Sequence, residues 1–471
     1  MATKIENSVY LGELPWVLHG KYTDANVFIR TYDQGVINQT YDLINSRAFK
    51  GRKVSLMPDA HVGASGPCGL VAEIGDYINP EHVGMDVGCS VSLMLLNKPV
   101  PTEKLVEFEH KIKSTIPFGF EVHEKTMVNE KDFYKFIMDG FNKYRNYWPE
   151  MLGDLPTYVD EKWINQVLKR INLEPAKFWH SLGTVGGGNH FIEYDINEEK
   201  NIAAVTLHFG SRKFGLNIWK YWTNLMKAPA AKRIDELKNA IKIASKNYKD
   251  SYKKSHKNMK NFSEDLKKFQ LDYEEKYLDQ TGHLQGYLTG EDMKGYLQDM
   301  CLAQLYAQYN HITVQDLIKK IIQVYGIEVT KTILTVHNFV DLHDHCLRKS
   351  SIRSYEGEEI VIPFNMRDGI AVCKGKSNGD WLNSAPHGAG RTMTRRAARE
   401  LLRSGDVTMD DFRESMKGIV STSIVADVID EAPFVYKDWK EIAEVIQGTC
   451  DIEFLMKPLI NLKACDGDVE G

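Results

Sequence analysis

One feature constrains this fold more than any other: Gly-rich, β-branched segments alternate along the chain with segments of helical periodicity. Between residues 51 and 100, short apolar runs are broken by Gly, Pro and Asp, which predicts short strands joined by tight turns. Apolar residues recur at helical spacing over residues 104–114, 132–147 and 290–310. No repeat of fixed period and no low-complexity linker is found. At 471 residues the chain can bury a large core, and we expect the α+β class, with one large mixed α/β domain over residues 1–471.

The segment from residue 229 to residue 285 interrupts this pattern. Its composition shifts abruptly to Lys-rich amphipathic sequence with little Gly or Pro after its start. Such sequence predicts a pair of long helices. We therefore expect a helical hairpin inserted within the domain.

Composition excludes several classes of protein. No apolar run approaches the roughly 18 residues of a membrane helix, and the first residues do not form a signal peptide, so we expect a soluble, cytoplasmic protein without a membrane partner. The seven cysteines are scattered and contain no Cys-x-x-Cys pair, which argues against a disulfide framework and a zinc finger. The net charge of −5 argues against coating of nucleic acid by bulk attraction, although a local basic surface could still hold phosphates.

The Gly-rich region carries the first group of polar residues with chemical potential. Met57-Pro-Asp-Ala-His61 precedes Gly84-Met-Asp-Val-Gly-Cys-Ser90. Asp86 and Cys89 are separated by Val-Gly, a spacing at which a tight turn can aim a carboxylate and a thiolate at one ion. A turn aspartate beside a half-buried cysteine is the commoner meaning of an isolated Asp-x-x-Cys.

Three histidines occupy positions that favour binding. His190 follows a run of glycines in Gly183-Thr-Val-Gly-Gly-Gly-Asn-His-Phe-Ile-Glu193, where backbone N–H groups can approach an anion closely. His208 and His337 each follow an apolar, strand-like run. Singly, each histidine is more often structural than a ligand. Together with Asp86 and Cys89 they form a donor set suited to two transition-metal ions, with the thiolate able to bridge them.

The last group of polar residues is Ser384-Ala-Pro-His-Gly-Ala-Gly-Arg391. It places His387 on a Gly-rich turn just before a predicted helix over residues 392–402, where backbone N–H groups and the helix dipole would favour a phosphate. Arg391, Arg395 and Arg399 recur every four residues and predict one basic stripe. An ordinary surface helix would show the same stripe, but it would not account for a histidine at its entrance.

In their order along the chain, these motifs resemble the RtcB family of RNA-splicing and RNA-repair ligases. Gly186-Gly-Gly-Asn-His190 and His387-Gly-Ala-Gly-Arg391 carry the resemblance, which extends from Met57 to Lys463. It implies a single catalytic domain of the RtcB type. Further matching stretches are 299–310, Arg348-Lys349, Glu431-Ala-Pro433 and Tyr436-Lys437.

The resemblance also implies a role for each site residue. His387 would be the nucleophile that becomes guanylylated, and Glu193 and Lys463 would recognise the guanine nucleotide. The ligands of two manganese ions, with Cys89 as the bridge, would be Asp86, Cys89, His190, His208 and His337. The nucleotide would be held by Asn189, His190, Phe191, Ile192, Glu193, His337, Asn338, Pro363, Phe364, Asn365, Met366, His387, Gly388, Ala389, Gly390 and Lys463. The RNA 3′-phosphate would face Arg212, Arg391 and Arg395.

The implied enzyme is a GTP- and manganese-dependent RNA ligase. It would join an RNA 3′-phosphate or 2′,3′-cyclic phosphate end to a 5′-hydroxyl end through guanylyl-His387, in RNA splicing or repair. A metallophosphoesterase would need the metals but no covalent histidine, and a catalytically dead RNA-binding scaffold would lack a ligand or the nucleophile, none of which is missing here. Zinc is an alternative metal, because it generally binds such ligands more tightly than manganese. Neither the physiological RNA nor an activating protein partner can be deduced from the sequence.

The sequence departs from the family pattern at two places. Where the family usually has Ile-Pro-Gly-Ser-Met-Gly, this chain has Ile362-Pro-Phe-Asn-Met-Arg-Asp-Gly369, so Phe364 and Asn365 replace a small pair suited to anions. Arg348-Lys349 is followed by Ser350-Ser351 rather than Gly-Ala. These departures bear on the triphosphate contacts and nucleotide specificity, not on the metal ligands or the nucleophile.

The lysines of the predicted hairpin allow two interpretations. Charge runs of this kind usually form a solvated outer face, which we favour, and the alternative is an arm that guides RNA. The lysines at helical spacing include Lys242, Lys246, Lys249 and Lys253.

Overall fold

Two large β-sheets organise the computed structural model, which describes residues 13–31, 33–255, 259–281 and 286–465. The strands are β1 (Trp16–His19), β2 (Asp24–Val27), β3 (Val54–His61), β4 (Cys68–Glu73), β5 (Ser90–Leu96), β6 (Phe191–Asn197), β7 (Ile202–Phe209), β8 (Val329–Val336), β9 (Asn338–Asp341), β10 (Cys346–Lys349), β11 (Ser351–Arg353), β12 (Glu359–Asn365), β13 (Gly369–Gly375), β14 (Ser384–Pro386) and β15 (Cys450–Leu462). The helices are α1 (Gln34–Ile44), α2 (Pro80–Val83), α3 (Leu105–Thr115), α4 (Glu130–Tyr147), α5 (Pro149–Leu152), α6 (Glu161–Arg170), α7 (Pro175–His180), α8 (Arg212–Ser255), α9 (Phe262–Thr281), α10 (Gly290–Gln323), α11 (Arg395–Ser404), α12 (Met409–Ser415) and α13 (Trp439–Val445).

The sheets have different connectivity. One has six strands in the order β1-β2-β3-β4-β10-β9, and the other has seven in the order β12-β13-β15-β6-β7-β5-β8. A two-stranded sheet, β11-β14, is separate from both. Neighbouring strands of the seven-stranded sheet are antiparallel throughout.

Both faces of the seven-stranded sheet are covered, which explains why its strands read as near-continuous apolar runs. On one face, Val205 and Leu207 of β7 pack with Phe108 of α3 and Ile318 of α10. On the other face, Ala204 packs in a cluster with residues of β5, β12 and β13. Because side chains alternate along a strand, His208 lies on the same face as Ala204.

Helices α8 and α9 pack against each other in the region where a pair of long helices is predicted. Tyr248 stacks on Phe269 with ring centroids 4.2 Å apart, and the Tyr252 hydroxyl donates to Asp265 at 2.7 Å. The first helix begins at Arg212, however, so the Lys-rich segment continues the helix that follows β7 instead of starting a separate one at residue 229. Residues 256–258 and 282–285 of the predicted hairpin lie outside the described residues.

The predicted α+β class is confirmed, since strands and helices are both abundant and mixed along the chain. The predicted helix over 290–310 is longer than expected and extends to Gln323 as α10. No helix within the described ranges combines the length and apolar character needed to cross a bilayer.

Candidate active site

Four adjacent strands of the seven-stranded sheet bring the predicted metal ligands to one edge. The strands β6, β7, β5 and β8 alternate in direction, so the starts of β6 and β5 lie beside the ends of β7 and β8. His190 directly precedes β6, and His208 is near the end of β7, paired with Phe191. Cys89 directly precedes β5, and His337 directly follows β8. The antiparallel order therefore assembles ligands that are far apart in sequence.

The ligand atoms form two groups that share a cysteine. Cys89 Sγ lies 3.4 Å from the Nε2 atoms of both His190 and His208. One group is Asp86, Cys89 and His190, and the other is Cys89, His208 and His337, with the ligand atoms of each group within 4.8 Å of one another. All five predicted metal ligands are thus brought together, and Cys89 occupies the position of a bridge.

These distances fit metal ions. A tetrahedral ion with bonds of about 2.1 Å to nitrogen would hold its ligand atoms about 3.4 Å apart. His208 Nε2 and His337 Nε2 are 3.3 Å apart, and His190 Nε2 is 2.9 Å from Asp86 Oδ2. Thiolate, imidazole and carboxylate are a donor set that transition metals accept. The residues therefore fit two ions, one in each group.

The local electrostatics suit ligation. Burial lowers the pKa of His208 and His337 far below its ordinary value, so both rings are neutral, the form that binds a metal. Burial and the adjacent Asp86 raise the pKa of Cys89 well above normal, so a cation would be needed to stabilise its thiolate. Burial would raise the pKa of Asp86, but the His190 ring, Cys89 and Arg212 together outweigh burial and lower it.

Glycines make room for these ligands. A Cβ atom on Gly186 would collide with His190 Nδ1, and one on Gly210 would collide with the carboxylate of Asp86. Gly186 belongs to the glycine run that the sequence associates with anion binding. One of its functions is therefore steric, because it lets the His190 ring pack against the turn.

A cavity of about 660 Å³ adjoins the predicted metal ligands. Asp86 and His208 line it, and so does His387, whose ring centroid is 4.9 Å from that of His337. The predicted nucleotide-binding residues that line the cavity are Asn189, Phe191, Glu193, Asn338, Pro363, Phe364, Asn365, Met366, His387, Gly388, Ala389, Gly390 and Lys463.

Asp59 orients His387 and was not assigned a role from the sequence. Its Oδ2 atom is 2.7 Å from His387 Nδ1, and its side chain is completely buried. Gly390, at φ +76°, packs directly on the Asp59 backbone, where a Cβ would collide with the carbonyl oxygen. A carboxylate at this distance accepts a hydrogen bond from Nδ1–H, which keeps the proton on Nδ1 and leaves Nε2 as the basic ring nitrogen. Asp59 belongs to the Pro-Asp-Ala-His motif of the sequence, but its partner His387 is 328 residues away.

The position of His387 differs from the prediction. It follows β14 on a turn, as expected, but the next helix begins only at Arg395, with Thr394 as its N-cap. His387 is therefore not at a helix entrance, and the helix dipole does not explain its placement. The Gly388–Gly390 turn supplies the backbone at this point of the cavity instead.

Three of the predicted nucleotide-site residues have side chains that are engaged within the protein itself. Ile192 packs in the core with Leu207, because its neighbours Phe191 and Glu193 are the residues of β6 that face the cavity. Phe364 is buried against Trp439, with ring centroids 5.6 Å apart. The Asn365 side chain is occupied within its own turn, where it accepts from the backbone N–H groups of Arg367 and Asp368. This segment therefore offers the cavity mainly its backbone.

The arginines after His387 converge on two buried acids. Arg391 pairs with Glu431, and Arg395 Nη1 lies 3.2 Å from Glu431 and 3.4 Å from Asp430. Arg399 Nη2 also lies 3.4 Å from Asp430. Both Arg391 and Arg395 line the cavity. The basic stripe is thus held in place by carboxylates instead of being freely solvated.

Arg212 has a different environment. Its side chain is buried, donates from Nε to Thr184 Oγ1 at 3.0 Å and from Nη2 to the Gly119 carbonyl at 2.5 Å, and does not line the cavity. The contacts support a role in fixing the glycine run. Its predicted contact with an RNA 3′-phosphate stays a prediction, which this placement does not favour.

Comparison with known proteins agrees with the site. The family model described as tRNA-splicing ligase RtcB matches residues 42–464. The chain is 24% identical to the RNA-splicing ligase RtcB of Escherichia coli, over 94% of this chain and 98% of that protein. It is 25% identical to the tRNA-splicing ligase RtcB of Aeropyrum pernix over 83% of each chain, and 23% identical to the RNA-splicing ligase RtcB homolog 2 of Entamoeba dispar, over 86% and 80%. The chain therefore belongs to the RtcB family of RNA ligases.

Proposed function

We propose that this protein is a GTP- and manganese-dependent ligase that joins an RNA 3′-phosphate or 2′,3′-cyclic phosphate end to a 5′-hydroxyl end, in RNA splicing or repair. The observation that carries the proposal is the orientation of His387. Its Nδ1 is engaged by the buried Asp59, its ring lies beside the metal ligand His337, and the residue lines the cavity. A neutral imidazole held in this way has one nucleophilic nitrogen, Nε2, available to a substrate in the cavity.

The cavity offers a suitable set of groups to a guanine nucleotide. Lys463 and Glu193 lie on its wall, and the Lys463 Nζ atom is 3.1 Å from the Asn189 carbonyl and 3.2 Å from Glu431. Lys463 is therefore fixed in position before a ligand arrives. The turn at Gly388–Gly390 and the backbone at Pro363 would approach the phosphates, while Arg391 and Arg395 would face the RNA end.

The chemistry begins with attack of His387 Nε2 on the α-phosphate of GTP. The new N–P bond replaces the bond to pyrophosphate, and the guanylate then passes to the RNA 3′-phosphate, which frees His387. The 5′-hydroxyl of the second fragment attacks the activated 3′ end and releases GMP. Two manganese ions, held by Asp86, Cys89, His190, His208 and His337, would supply Lewis-acid stabilisation of phosphate charge when bound. A 2′,3′-cyclic phosphate would first be opened by water to the 3′-phosphate.

The test is covalent uptake of label from [α-³²P]GTP in the presence of manganese. We expect acid-labile label, as for a phosphoramidate, on the wild type and on a His343→Ala control, because His343 does not line the cavity. His387→Ala should take up none. Label on His387→Ala would show that another residue is the nucleophile. Phosphoesterase activity on RNA 3′-phosphates, with no covalent label on the wild type, would instead identify a metallophosphoesterase.

A further inference from the structure

Two buried carboxyl groups lie next to each other where the cavity meets strand β6. Glu193 and Asp195 are alternate residues of the strand and so point to the same face. Glu193 lines the cavity, whereas Asp195 lies behind it. Their exposed fractions are 2% and 0%. Asp195 therefore does not touch a ligand in the cavity, but its carboxyl group interacts with that of Glu193.

The hydrogen-bond donors around this pair are too few for two carboxylates. The Thr206 hydroxyl donates to Asp195 Oδ2 at 2.6 Å, and the Asn461 amide donates to Glu193 Oε2. Asp195 Oδ1 is buried and has no donor among the residues that the structure describes. A proton on Glu193, directed at Asp195 Oδ1, would supply the missing donor.

The surrounding charges do not remove the need for this proton. Thr206 on β7 and Asn461 on β15 are neutral, and Lys463 is a positively charged side chain that acts on Glu193. Lys463 is already paired with Glu431, which also binds Arg391 and Arg395. Burial and the Asp195 carboxylate raise the pKa of Glu193 well above its ordinary value, and burial raises the pKa of Asp195 to about 6. Two carboxyls in one dry site retain a proton because like charges cannot both be desolvated.

We propose that Asp195 is a positioning residue that acts through Glu193. Asp195 keeps a proton on the Glu193 carboxyl group, and this proton must leave when guanine binds. This inference rests on the proposed function, in which Glu193 faces the base. The N1–H and N2–H groups of guanine are donors, and an ionised carboxylate can accept from both. A protonated Glu193 whose O–H points to Asp195 is a neutral and weaker acceptor. Binding of guanine therefore transfers the Glu193 proton to solvent.

The proton can be counted by calorimetry. GMP serves as the probe, because it carries the base but has no pyrophosphate to lose, and its binding is measured in buffers of different ionisation enthalpy between pH 6 and 8.5. We expect the wild type to release about one proton more per GMP than Asp195→Asn, and its affinity to rise by up to about tenfold per pH unit while the pair stays protonated. The GMP phosphate itself titrates near pH 6, so only the difference between the two proteins is used.

Asp195→Asn removes the charge that holds the proton and keeps the shape. We expect it to bind GMP more tightly than the wild type at pH 6 and with a flatter pH profile. The matched control is Asp299→Asn, which changes a buried carboxylate bonded to Arg170 and Trp222 outside the cavity and should keep the wild-type proton release. If Asp195→Asn fails to fold, Glu193→Gln provides the reference, since its amide has no proton to release.

Equal proton release by the wild type and the variant would overturn the inference while leaving the ligase proposal intact. A wild type that labels covalently from GTP, yet binds GMP with the same affinity as AMP at every pH, would show that Glu193 does not read the base. That result would also overturn the inference. Failure to bind either GTP or GMP at any pH would refute the proposed nucleotide site itself.

Discussion

Replacing Asp59 with Asn should slow self-guanylylation without unfolding the protein. The Asp59 carboxylate is the partner of His387 Nδ1 at 2.7 Å. A hydrogen bond to a charged group contributes about 1.5–3 kcal/mol. Since about 1.4 kcal/mol is tenfold in rate, its loss predicts a decrease of roughly 10- to 150-fold. If the new amide donates to Nδ1, it would fix the opposite tautomer and protonate Nε2, and the decrease could approach about 10⁴-fold, as in serine protease triads.

The stability of Asp59→Asn should not fall with its rate of self-guanylylation. Asp59 Oδ1 is buried without a partner among the described residues, and burying a carboxylate whose oxygens are not all satisfied is unfavourable. Asp59→Asn should therefore keep or raise the melting temperature. Asp299→Asn is the control, because it loses the pair with Arg170 and should lower stability while its folded fraction labels at the normal rate. The assay is single-turnover labelling from [α-³²P]GTP, and a wild-type rate for Asp59→Asn would refute the orienting role.

Three further predictions concern the metals, the RNA end and the hairpin. Cys89→Ala should remove both metal ions, whereas His190→Ala should remove mainly one. Metal analysis of the purified variants is the measurement, and equal, small losses for both would exclude the bridged pair. Arg391→Ala and Arg395→Ala should spare self-guanylylation more than ligation, so a defect confined to guanylylation would contradict their contact with RNA. Neutralising four exposed lysines should leave His387 labelling intact and change the affinity for a broken hairpin RNA only modestly. The affinity is measured across a salt series. If the slope of log affinity against log salt becomes shallower by roughly 0.9 for each lost phosphate contact, the helical hairpin of the protein belongs to the RNA site. The four lysines are Lys242, Lys246, Lys249 and Lys253.

Four of the five predicted metal ligands lie next to or within an apolar run that forms a strand, and Asp86 lies in the turn before Cys89. Strand ends are easy to recognise in a sequence, but spacing alone does not show which strands are neighbours. The family resemblance supplied the grouping of the five residues. Asp86 and Cys89 illustrate the limit, since their spacing is equally common in simple turns. The structure brings them together with His190 because β5 and β6 both begin at the same edge of the sheet.

The missed residues act through partners that only the tertiary fold supplies. Asp59 meets His387 across 328 positions of sequence. Asp195 acts on Glu193 because the alternation of side chains along β6 places both on the same face of the sheet. The predicted helix after His387 begins before the observed one, because the sequence from Thr392 onward favours a helix. In the structure, Arg391 forms an isolated β-bridge with Tyr436, and the helix begins at Arg395. Tertiary pairing outweighed local propensity at that point.

The edge shared by four strands has a consequence for how the protein reaches its native state. Cys89 and His190 are 101 residues apart, and His208 and His337 are 129 apart, so the ligands converge only after long-range strand pairing. Partly folded chains would offer isolated cysteines and histidines and would bind an ion weakly. An ion that binds only the native state adds about 2.7 kcal/mol to the free energy of unfolding at a concentration 100 times its dissociation constant. If the proposed ions bind, their supply would therefore affect the resistance of this protein to unfolding as well as the proposed activity.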